Sequence, residues 1–198
     1  MKRADRALQQ ARINKAMPYL RRGDRVLDVG SGDGQLFRAF GKQANTSVGL
    51  DPHLETVLLP THELHRGFFP QAAAGLGRFD AIVMLAVLEH APADQVVDWA
   101  TAVANMLEPG GRFIATVPSR LVDPMLDVLV RLRVLDGMDT DQHHGFDPRQ
   151  TIKLMVDAGL TLLARERFQL GLNSLFVFER LFVAPDARRL DWYQERVT

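Results

Sequence analysis

Short apolar runs along the chain are each stopped by glycine, proline or a polar residue, and segments of helical periodicity separate them. Helical spacing follows Gly34 and returns from about residue 92 to residue 107. Because strand and helix alternate in this way, the pattern predicts a parallel, doubly wound α/β sheet. The apolar runs predict its strands at residues 26–29, 46–50, 64–67, 79–85 and 112–117.

The two ends of the chain have patterns of their own. Residues 1–22 have a rough apolar stripe of helical spacing that ends near Pro18. Towards the other end, Asp147 and Pro148 have the sequence of a helix N-cap and first turn, and Gly159 ends that helix. Two further strands are predicted at residues 160–168 and 174–182, around Gly171.

The turn after the first strand has the glycine spacing G-x-G-x-G. Gly30, Gly32 and Gly34 allow a sharp turn and leave no Cβ between the main chain and a ligand. A strand that turns into a helix also predicts free backbone N–H groups for a polar ligand. Asp28, two residues before Gly30, disfavours a pyrophosphate and favours a ligand with an ammonium group and a sulfonium. An ordinary strand-to-helix turn is the alternative interpretation.

A second acidic residue follows the next strand. Asp51 lies 17 residues beyond Gly34, at the carboxyl end of the second parallel strand, and Pro52 follows it. In nucleoside-binding α/β folds an acid at this position accepts hydrogen bonds from the ribose hydroxyls. The spacing therefore favours a ribose-binding role over an acidic turn before proline.

Three motifs together resemble those of class I S-adenosylmethionine-dependent methyltransferases. They are the segment from Asp28 to Gly34, the sequence Leu88-Glu89-His90 after a strand, and Glu108-Pro109-Gly110-Gly111 before one. The second is similar to the corresponding motif of small-molecule methyltransferases, including the quinone-biosynthesis type. The resemblance covers about residues 24–118. It implies a Rossmann-like, doubly wound, mostly parallel seven-stranded sheet with a C-terminal antiparallel strand hairpin.

The resemblance also implies a cofactor and its contacts. S-adenosyl-L-methionine would be the methyl donor and S-adenosyl-L-homocysteine the product. The glycine turn would hold the methionine part and the ribose, and Gly67 and Phe68 would lie against the adenine, although a core-facing Phe68 is an equal alternative. Many relatives have an acid in the adenine region that this chain lacks. The predicted cofactor-binding residues are Asp28, Gly30, Ser31, Gly32, Gly34, Asp51, Pro52, Gly67, Phe68 and Leu85.

Methyl transfer from a sulfonium is an in-line displacement, so the protein supplies alignment, exclusion of water and, for a weakly acidic acceptor, a base. His90 and His143 are the candidate catalytic bases, since histidine accepts a proton near neutral pH. A structural role in its turn is the alternative for His90. His143 and His144 lie in a polar loop after an apolar helix predicted at residues 121–135. That loop is interpreted as a lid with a base, a metal chelator or a solvated segment, and we predict no metal.

Composition sets the limits of these interpretations. With 198 residues, 46% hydrophobic and 24% charged, the chain is expected to form one methyltransferase-like domain over residues 1–198. About residues 119–147 would be its variable substrate or lid region. There is no cysteine, which excludes disulfides and thiolate chemistry and fits a cytoplasmic protein. The formal net charge of zero argues against a nucleic-acid partner.

Although the net charge of the chain is zero, its predicted N-terminal helix is strongly basic. Residues 1–22 contain seven lysines and arginines but a single aspartate. A basic amphipathic helix suits an anionic membrane surface or an acidic partner, whereas packing against the domain with a solvated polar face is the alternative. Peripheral membrane contact through residues 1–22 and a homodimer are therefore retained as expected partner interactions.

The leading hypothesis is an S-adenosylmethionine-dependent methyltransferase that transfers a methyl group to a small-molecule or lipid-like acceptor by in-line displacement. The alternative is a non-catalytic cofactor-binding or partner module that keeps the fold. A nicotinamide oxidoreductase is a third hypothesis, which the glycine spacing disfavours.

Overall fold

The computed structural model describes residues 3–41, 46–54, 57–58, 62–118 and 148–181. The helix predicted at 121–135 and the polar loop with His143 and His144 lie outside these residues. The helices are α1 Arg3–Ala16, α2 Gln35–Phe40, α3 Val96–Met106 and α4 Pro148–Asp157. The strands are β1 Val26–Val29, β2 Ser47–Asp51, β3 Val57–Leu58, β4 His62–Arg66, β5 Phe79–Leu85, β6 Leu107–Pro118, β7 Thr161–Phe168 and β8 Asn173–Glu179.

These strands form one sheet in the order β3-β4-β2-β1-β5-β6-β8-β7. The strands β4, β2, β1, β5 and β6 are parallel, whereas β8 is antiparallel to β6 and β7 is antiparallel to β8. The two-residue β3 adds an antiparallel edge to the seven longer strands. The predicted Rossmann-like, mostly parallel sheet with its antiparallel C-terminal hairpin is therefore confirmed.

Helices cover both faces of this sheet. On one face, α1 and α2 pack in a core cluster with alternate strand residues such as Val26 and Val83. On the other face, α3 and α4 pack on the intervening residues, such as Leu27 and Ile82. Because successive strand residues point to opposite faces, a strand covered on both faces is apolar at most of its positions. This explains why β1 and β5 are apolar except for one aspartate each, Asp28 and Asp80.

The N-terminal helix α1 packs on the sheet. Ile13 and Ala16 are buried against it, and the side chains of Lys15 and Tyr19 donate hydrogen bonds to the Glu166 carboxylate of β7. The chain leaves α1 at the end of the sheet where β1 begins, so the first turns of α1 lie towards the carboxyl ends of the strands. The alternative interpretation, a helix packed on the domain, is the one that the fold supports.

The connection between α3 and β6 differs from the prediction. The helix begins at Val96 rather than residue 92, because the Gln95 N–H closes a separate turn on the Pro92 carbonyl. The Glu108-Pro109-Gly110-Gly111 motif lies within the following strand instead of before it. The helix stops at Met106, and β6 begins at Leu107, five residues before the predicted start at 112. Gly110, with φ +77°, lies at an irregularity within that strand, where its N–H donates to the Arg180 carbonyl.

The C-terminal end of α4 agrees with the prediction. Gly159 has φ +89°, its N–H donates to the Val156 carbonyl, and the Leu160 N–H donates to the Met155 carbonyl. This pair of bonds is the Schellman motif, which glycine favours. Across the described segments, no helix combines the length and the apolar character that a membrane crossing requires.

Candidate functional site

The described residues of the predicted cofactor site lie where the chain reverses its direction across the sheet. After β1 the chain builds outward to β2 and β4, and it then returns to place β5 on the other side of β1. Ligands of doubly wound sheets bind at this switch point, beyond the carboxyl ends of the strands. Val29 pairs with Leu50 of β2 and with Met84 of β5, so the turns after these three strands are neighbours.

The glycine turn after β1 is held to β2 by its own amide groups. The N–H groups of Gly30 and Ser31 both donate to the Leu50 carbonyl, at 2.8 and 3.1 Å. The Gly32 N–H donates to Asp51 Oδ2 at 3.1 Å, and the Gly34 N–H donates to the Ser31 carbonyl at 2.9 Å. The expectation of free amide groups is therefore wrong for these four residues. The turn supplies shape and close approach, not an anion cradle.

Two of the glycines are needed for different reasons. Gly30 has φ +75°, and a Cβ there would lie 2.4 Å from Val87 Cγ2, in the turn after β5. Gly32 has φ +51°, and a Cβ there would meet no atom within 4 Å. Gly30 thus lets two turns of the site touch, whereas Gly32 borders open space.

Asp28 is an unusual acid because it lies inside the sheet. It is 4% exposed, and burial, together with the nearby charge of Asp51, raises its pKa to about 8. Among the side chains that the structure describes, no lysine, arginine or histidine forms an ion pair with Asp28 or Asp51. A ligand that carries a positive charge would relieve this concentration of acid.

Asp51 is oriented by backbone donors on both sides. Its Oδ1 accepts from the His53 N–H at 2.9 Å, and its Oδ2 accepts from Gly32. A carboxylate oxygen has more than one lone pair, so each can accept a further hydrogen bond from a hydroxyl. Asp51 and Pro52 are only partly buried.

Ser31 lies beneath the turn rather than at its surface. Its side chain is buried, and its Oγ has no hydrogen-bond partner among the described residues. A Cβ on Gly49 would come within 2.7 Å of Ser31 Oγ, so Gly49 leaves room for this hydroxyl. Gly34 is also buried and immediately precedes α2. The side chain of Ser31 thus faces β2, whereas Gly30 and Gly32 are at the ligand edge.

The predicted adenine region lies next to Asp51. The Gly67 N–H donates to the Asp51 carbonyl at 3.2 Å, which fixes the turn after β4. Phe68 is 68% exposed, whereas Phe69 is buried in the core. The alternative of a core-facing Phe68 is therefore wrong, and Phe69 takes that place. Leu85, at the end of β5, is partly buried on the opposite side of β1.

The turn after β5 separates its three motif residues. Leu88 and Glu89 are buried, whereas the side chain of His90 is exposed and its N–H donates to the Val87 carbonyl. Burial raises the pKa of Glu89 to about 7, an effect that the charge of Arg12 partly offsets. Glu89 belongs to the Leu88-Glu89-His90 motif, which by itself predicts no role for this residue. Its position directly after a site strand was the available signal.

The described residues do not form a metal-binding group. Across residues 3–41, 46–54, 57–58, 62–118 and 148–181, no group of three or more histidine, aspartate or glutamate side chains is arranged to hold a metal ion. The candidate site consists of two acids, a glycine turn and an exposed aromatic ring at one edge of the sheet. This arrangement suits a cationic nucleoside ligand.

Comparisons with known proteins agree with that description. A family model for a methyltransferase domain matches residues 1–165. The chain is 36% identical over 129 residues to a ubiquinone biosynthesis O-methyltransferase of Xylella fastidiosa, and this alignment covers 59% of the chain and 50% of that protein. The chain spans about half the length of such curated relatives.

Solved structures show the same fold at low identity. The 1,6-didemethyltoxoflavin-N1-methyltransferase of Burkholderia thailandensis has a TM-score of 0.64 at 18% identity, covering 90% of this chain and 80% of that one. The magnesium protoporphyrin IX methyltransferase of Synechocystis has a TM-score of 0.61 at 15% identity, covering 88% and 82%. Both structures contain bound S-adenosylhomocysteine.

We predict that Gly30→Ala destabilises the protein more than Gly32→Ala does. Both substitutions place a side chain at positive φ, so their difference isolates the overlap with Val87. Overpacking of this kind costs about 1–3 kcal/mol. Urea unfolding measures the difference, and the double variant Gly30→Ala/Val87→Ala should recover part of it. Equal destabilisation by the two single substitutions would contradict the contact between the turns.

We also predict that the stability of the free protein depends on pH through Asp28. Its pKa is raised from 3.8 to about 8 on folding, so the folded state binds more protons than the unfolded state between these values. The Asp28 contribution to stability is therefore full below about pH 4 and is lost as the pH rises through about 8. The stability of Asp28→Asn relative to the wild type should therefore increase as the pH rises from 5 to 9. The exposed control Asp94→Asn should show no such increase. A constant difference for Asp28→Asn would refute the raised pKa.

Proposed function

This chain belongs to the class I S-adenosylmethionine-dependent methyltransferase family, since a methyltransferase domain model matches residues 1–165, and we propose that it transfers a methyl group from S-adenosylmethionine to a small-molecule acceptor. The acid pair Asp28 and Asp51 at the switch point is the observation that carries this proposal. S-adenosylhomocysteine is the product.

The two acids suit different parts of the cofactor. Asp28 is buried, lacks a described cationic partner and would pair with the ammonium group of the methionine part. Asp51 is fixed by two backbone donors and would accept hydrogen bonds from the ribose hydroxyls. Gly30 and Gly32 would let the main chain approach the ligand, with Ser31 and Gly34 shaping the turn from beneath. The two acids and the glycine turn of the described site thus fit the cofactor.

The remaining predicted contacts surround this core of the site. Gly67 and the exposed Phe68 would lie along the adenine, beside Asp51 and Pro52. Leu85 would border the methionine part from the end of β5. When bound, the cofactor supplies the activated methyl group, and the protein aligns the acceptor and excludes water. His90 and His143 remain proposed bases for the acceptor.

The acceptor is proposed from the relatives. The curated proteins that the chain resembles are named ubiquinone biosynthesis O-methyltransferases, which favours a hydroxyl oxygen on a small or lipid-like molecule. Residues 119–147, which include His143, are proposed to contribute to acceptor selection within a single domain over residues 1–198. A cytoplasmic location, peripheral membrane contact through residues 1–22 and a homodimer also remain proposals, with no nucleic-acid partner.

Calorimetric titration with S-adenosylhomocysteine tests the cofactor half of the proposal. Loss of a hydrogen bond to a charged group costs about 1.5–3 kcal/mol, so Asp51→Ala should weaken binding about ten- to a hundredfold. Glu63→Gln is the matched control, because Glu63 is an exposed acid on the neighbouring β4 whose carboxylate contacts His65. It should bind within about twofold of the wild type.

Three outcomes would change the assignment. If the folded wild type does not bind the cofactor, or if Asp51→Ala binds as well as Glu63→Gln, the proposed site is wrong. Cofactor binding without methyl transfer to any of a broad set of hydroxylated acceptors would favour a non-catalytic cofactor-binding module. Preferential binding of a nicotinamide dinucleotide would favour an oxidoreductase instead.

A further inference from the structure

The connection between β7 and β8 presents a leucine to solvent. One short helical turn, Gln169–Gly171, joins the two strands, and the side chain of Leu170 is 102% exposed. Gln169 and Leu170 both have positive φ, at +51° and +57°. This conformation has a steric cost for residues other than glycine, so the turn holds Leu170 outward against its local preference.

The turn is an ordered part of the fold. The Leu172 N–H donates to the Gln169 carbonyl, and the side-chain amide of Asn173 donates to the side-chain oxygen of Gln169. Phe168, directly before the turn, packs against the core cluster that contains Ile13 of α1. The tip of this hairpin is therefore fixed to the sheet and to the N-terminal helix.

The surroundings of Leu170 decide what its exposure means, because single exposed leucines are common on soluble proteins. Arg165 and Arg167 of β7 are both exposed, and neither forms an ion pair with a described residue. The guanidinium of Arg165 lies over the Phe176 ring, which belongs to the core cluster under α3 and α4. Alternate residues of a strand share a face, so both arginines lie on that face of the hairpin.

The other face of the hairpin borders the basic helix α1. Glu166, the acid between the two arginines, is bound there by Lys15. From Lys15 back to its first residue, Arg3, α1 is about 18 Å long. From Glu166 to its end at Phe168, β7 extends only about 7 Å. The first turns of α1, with the exposed Arg6, therefore extend beyond the end of β7, beside the hairpin tip.

The hairpin tip lies at the same edge of the sheet as the candidate site. Asn173, the first residue of β8, pairs with Pro118, the last residue of β6, so the tip is at the carboxyl ends of the parallel strands. Asp28 and Asp51 belong to β1 and β2, whereas β8 and β7 are the last two strands in the order of the sheet. The acidic site and the basic tip are thus separated along one edge.

An apolar tip with basic residues on both sides matches the chemistry of an anionic bilayer. Each lysine or arginine near an anionic lipid surface strengthens binding by about fivefold. A leucine that leaves water for the boundary between headgroups and acyl chains strengthens binding by about tenfold when it is well buried. A groove on a protein is a poorer match, because one leucine is a small fraction of the apolar area in a stable protein interface.

We propose that the hairpin tip at Leu170, flanked by Arg167 and by the first turns of α1, docks the protein on an anionic membrane surface, with Leu170 inserted among the lipid headgroups. The basic composition of residues 1–22 indicates only an electrostatic contact, to which the fold adds an apolar anchor and an orientation. The carboxyl edge of the sheet would lie towards the bilayer. This orientation rests on the methyltransferase function proposed above for its purpose, which is to let a lipid-like acceptor pass from the membrane to the site.

Co-sedimentation with vesicles tests this surface. The wild type should bind vesicles of phosphatidylcholine mixed with phosphatidylserine, bind pure phosphatidylcholine vesicles more weakly, and lose binding as the salt concentration rises. Leu170→Ser should weaken binding to the mixed vesicles about tenfold, since the apolar anchor is lost. Arg167→Glu and Arg6→Glu should each weaken it about tenfold or more, since each changes the charge of this surface by two.

Leu163→Ser and Arg78→Glu are the matched controls. Leu163 is another exposed leucine of β7, about 16 Å from Phe168 along the strand. Arg78 is an exposed arginine directly before β5, at the amino end of that strand. Arg78→Glu changes the net charge as much as Arg167→Glu does. Both controls should bind mixed vesicles within about twofold of the wild type.

A fluorescent label measures insertion directly. The chain has no cysteine, so Leu170→Cys provides a single position for an environment-sensitive dye. Its emission should shift to shorter wavelength on mixed vesicles, as expected for a dye that leaves water. The same dye on Leu163→Cys should show no shift.

Several results would overturn the proposal. They are no binding of the folded wild type to mixed vesicles, binding by Leu170→Ser and Arg167→Glu that equals that of the controls, and equal dye shifts at the two labelled positions. Binding of the wild type to soluble poly-glutamate but not to vesicles would assign the basic surface to an acidic protein instead. Urea unfolding verifies that each variant is folded. A wild type that binds vesicles as predicted but does not bind S-adenosylhomocysteine would overturn the proposed function alone.

Discussion

The burial of Asp28 inside the parallel sheet is the constraint on which the site depends. A carboxyl group at the end of β1 has strands on both sides, and the charge of Asp51 is near it, so its ionised form is disfavoured. The surrounding turn is arranged around this acid. Its amides bind to β2 instead of to an anion, and Gly32 borders open space. A positively charged ligand would supply the cation that the described residues do not place beside Asp28 and Asp51.

Much of the central sheet was predictable from the sequence, because its strands are covered on both faces. The apolar runs of β1 and β5 begin and end at the residues that the pattern predicted. The start of β6 was not predictable in this way. Its first residues include Pro109 and two glycines, which have the composition of a turn, and tertiary hydrogen bonding of Gly110 to Arg180 places them in the strand. Local composition does not contain that distant contact.

The candidate site was also predictable only in part, because some of its features are local in the sequence and others depend on contacts between distant residues. Asp28, Asp51 and the glycine spacing are local features that lie at strand ends, so their proximity follows from the parallel topology. The position of Glu89 beside Arg12 depends on how α1 packs across a sheet built from residues that follow it. The exposure of Phe68 and the burial of Phe69 depend on the turn after β4. Such side-chain environments are properties of the folded chain and are absent from short motifs.

Proton release on cofactor binding tests whether the buried Asp28 pairs with the ammonium group of the cofactor. In the free protein at pH 7, the pKa of about 8 leaves Asp28 mostly protonated, and pairing with the ammonium group of the cofactor would ionise it. Calorimetric titration of S-adenosylmethionine at pH 7, in two buffers of different ionisation enthalpy, counts the protons released. We predict about one proton for the wild type and close to none for Asp28→Asn. No release by the wild type, or equal release by both proteins, would show that Asp28 does not ionise on cofactor binding.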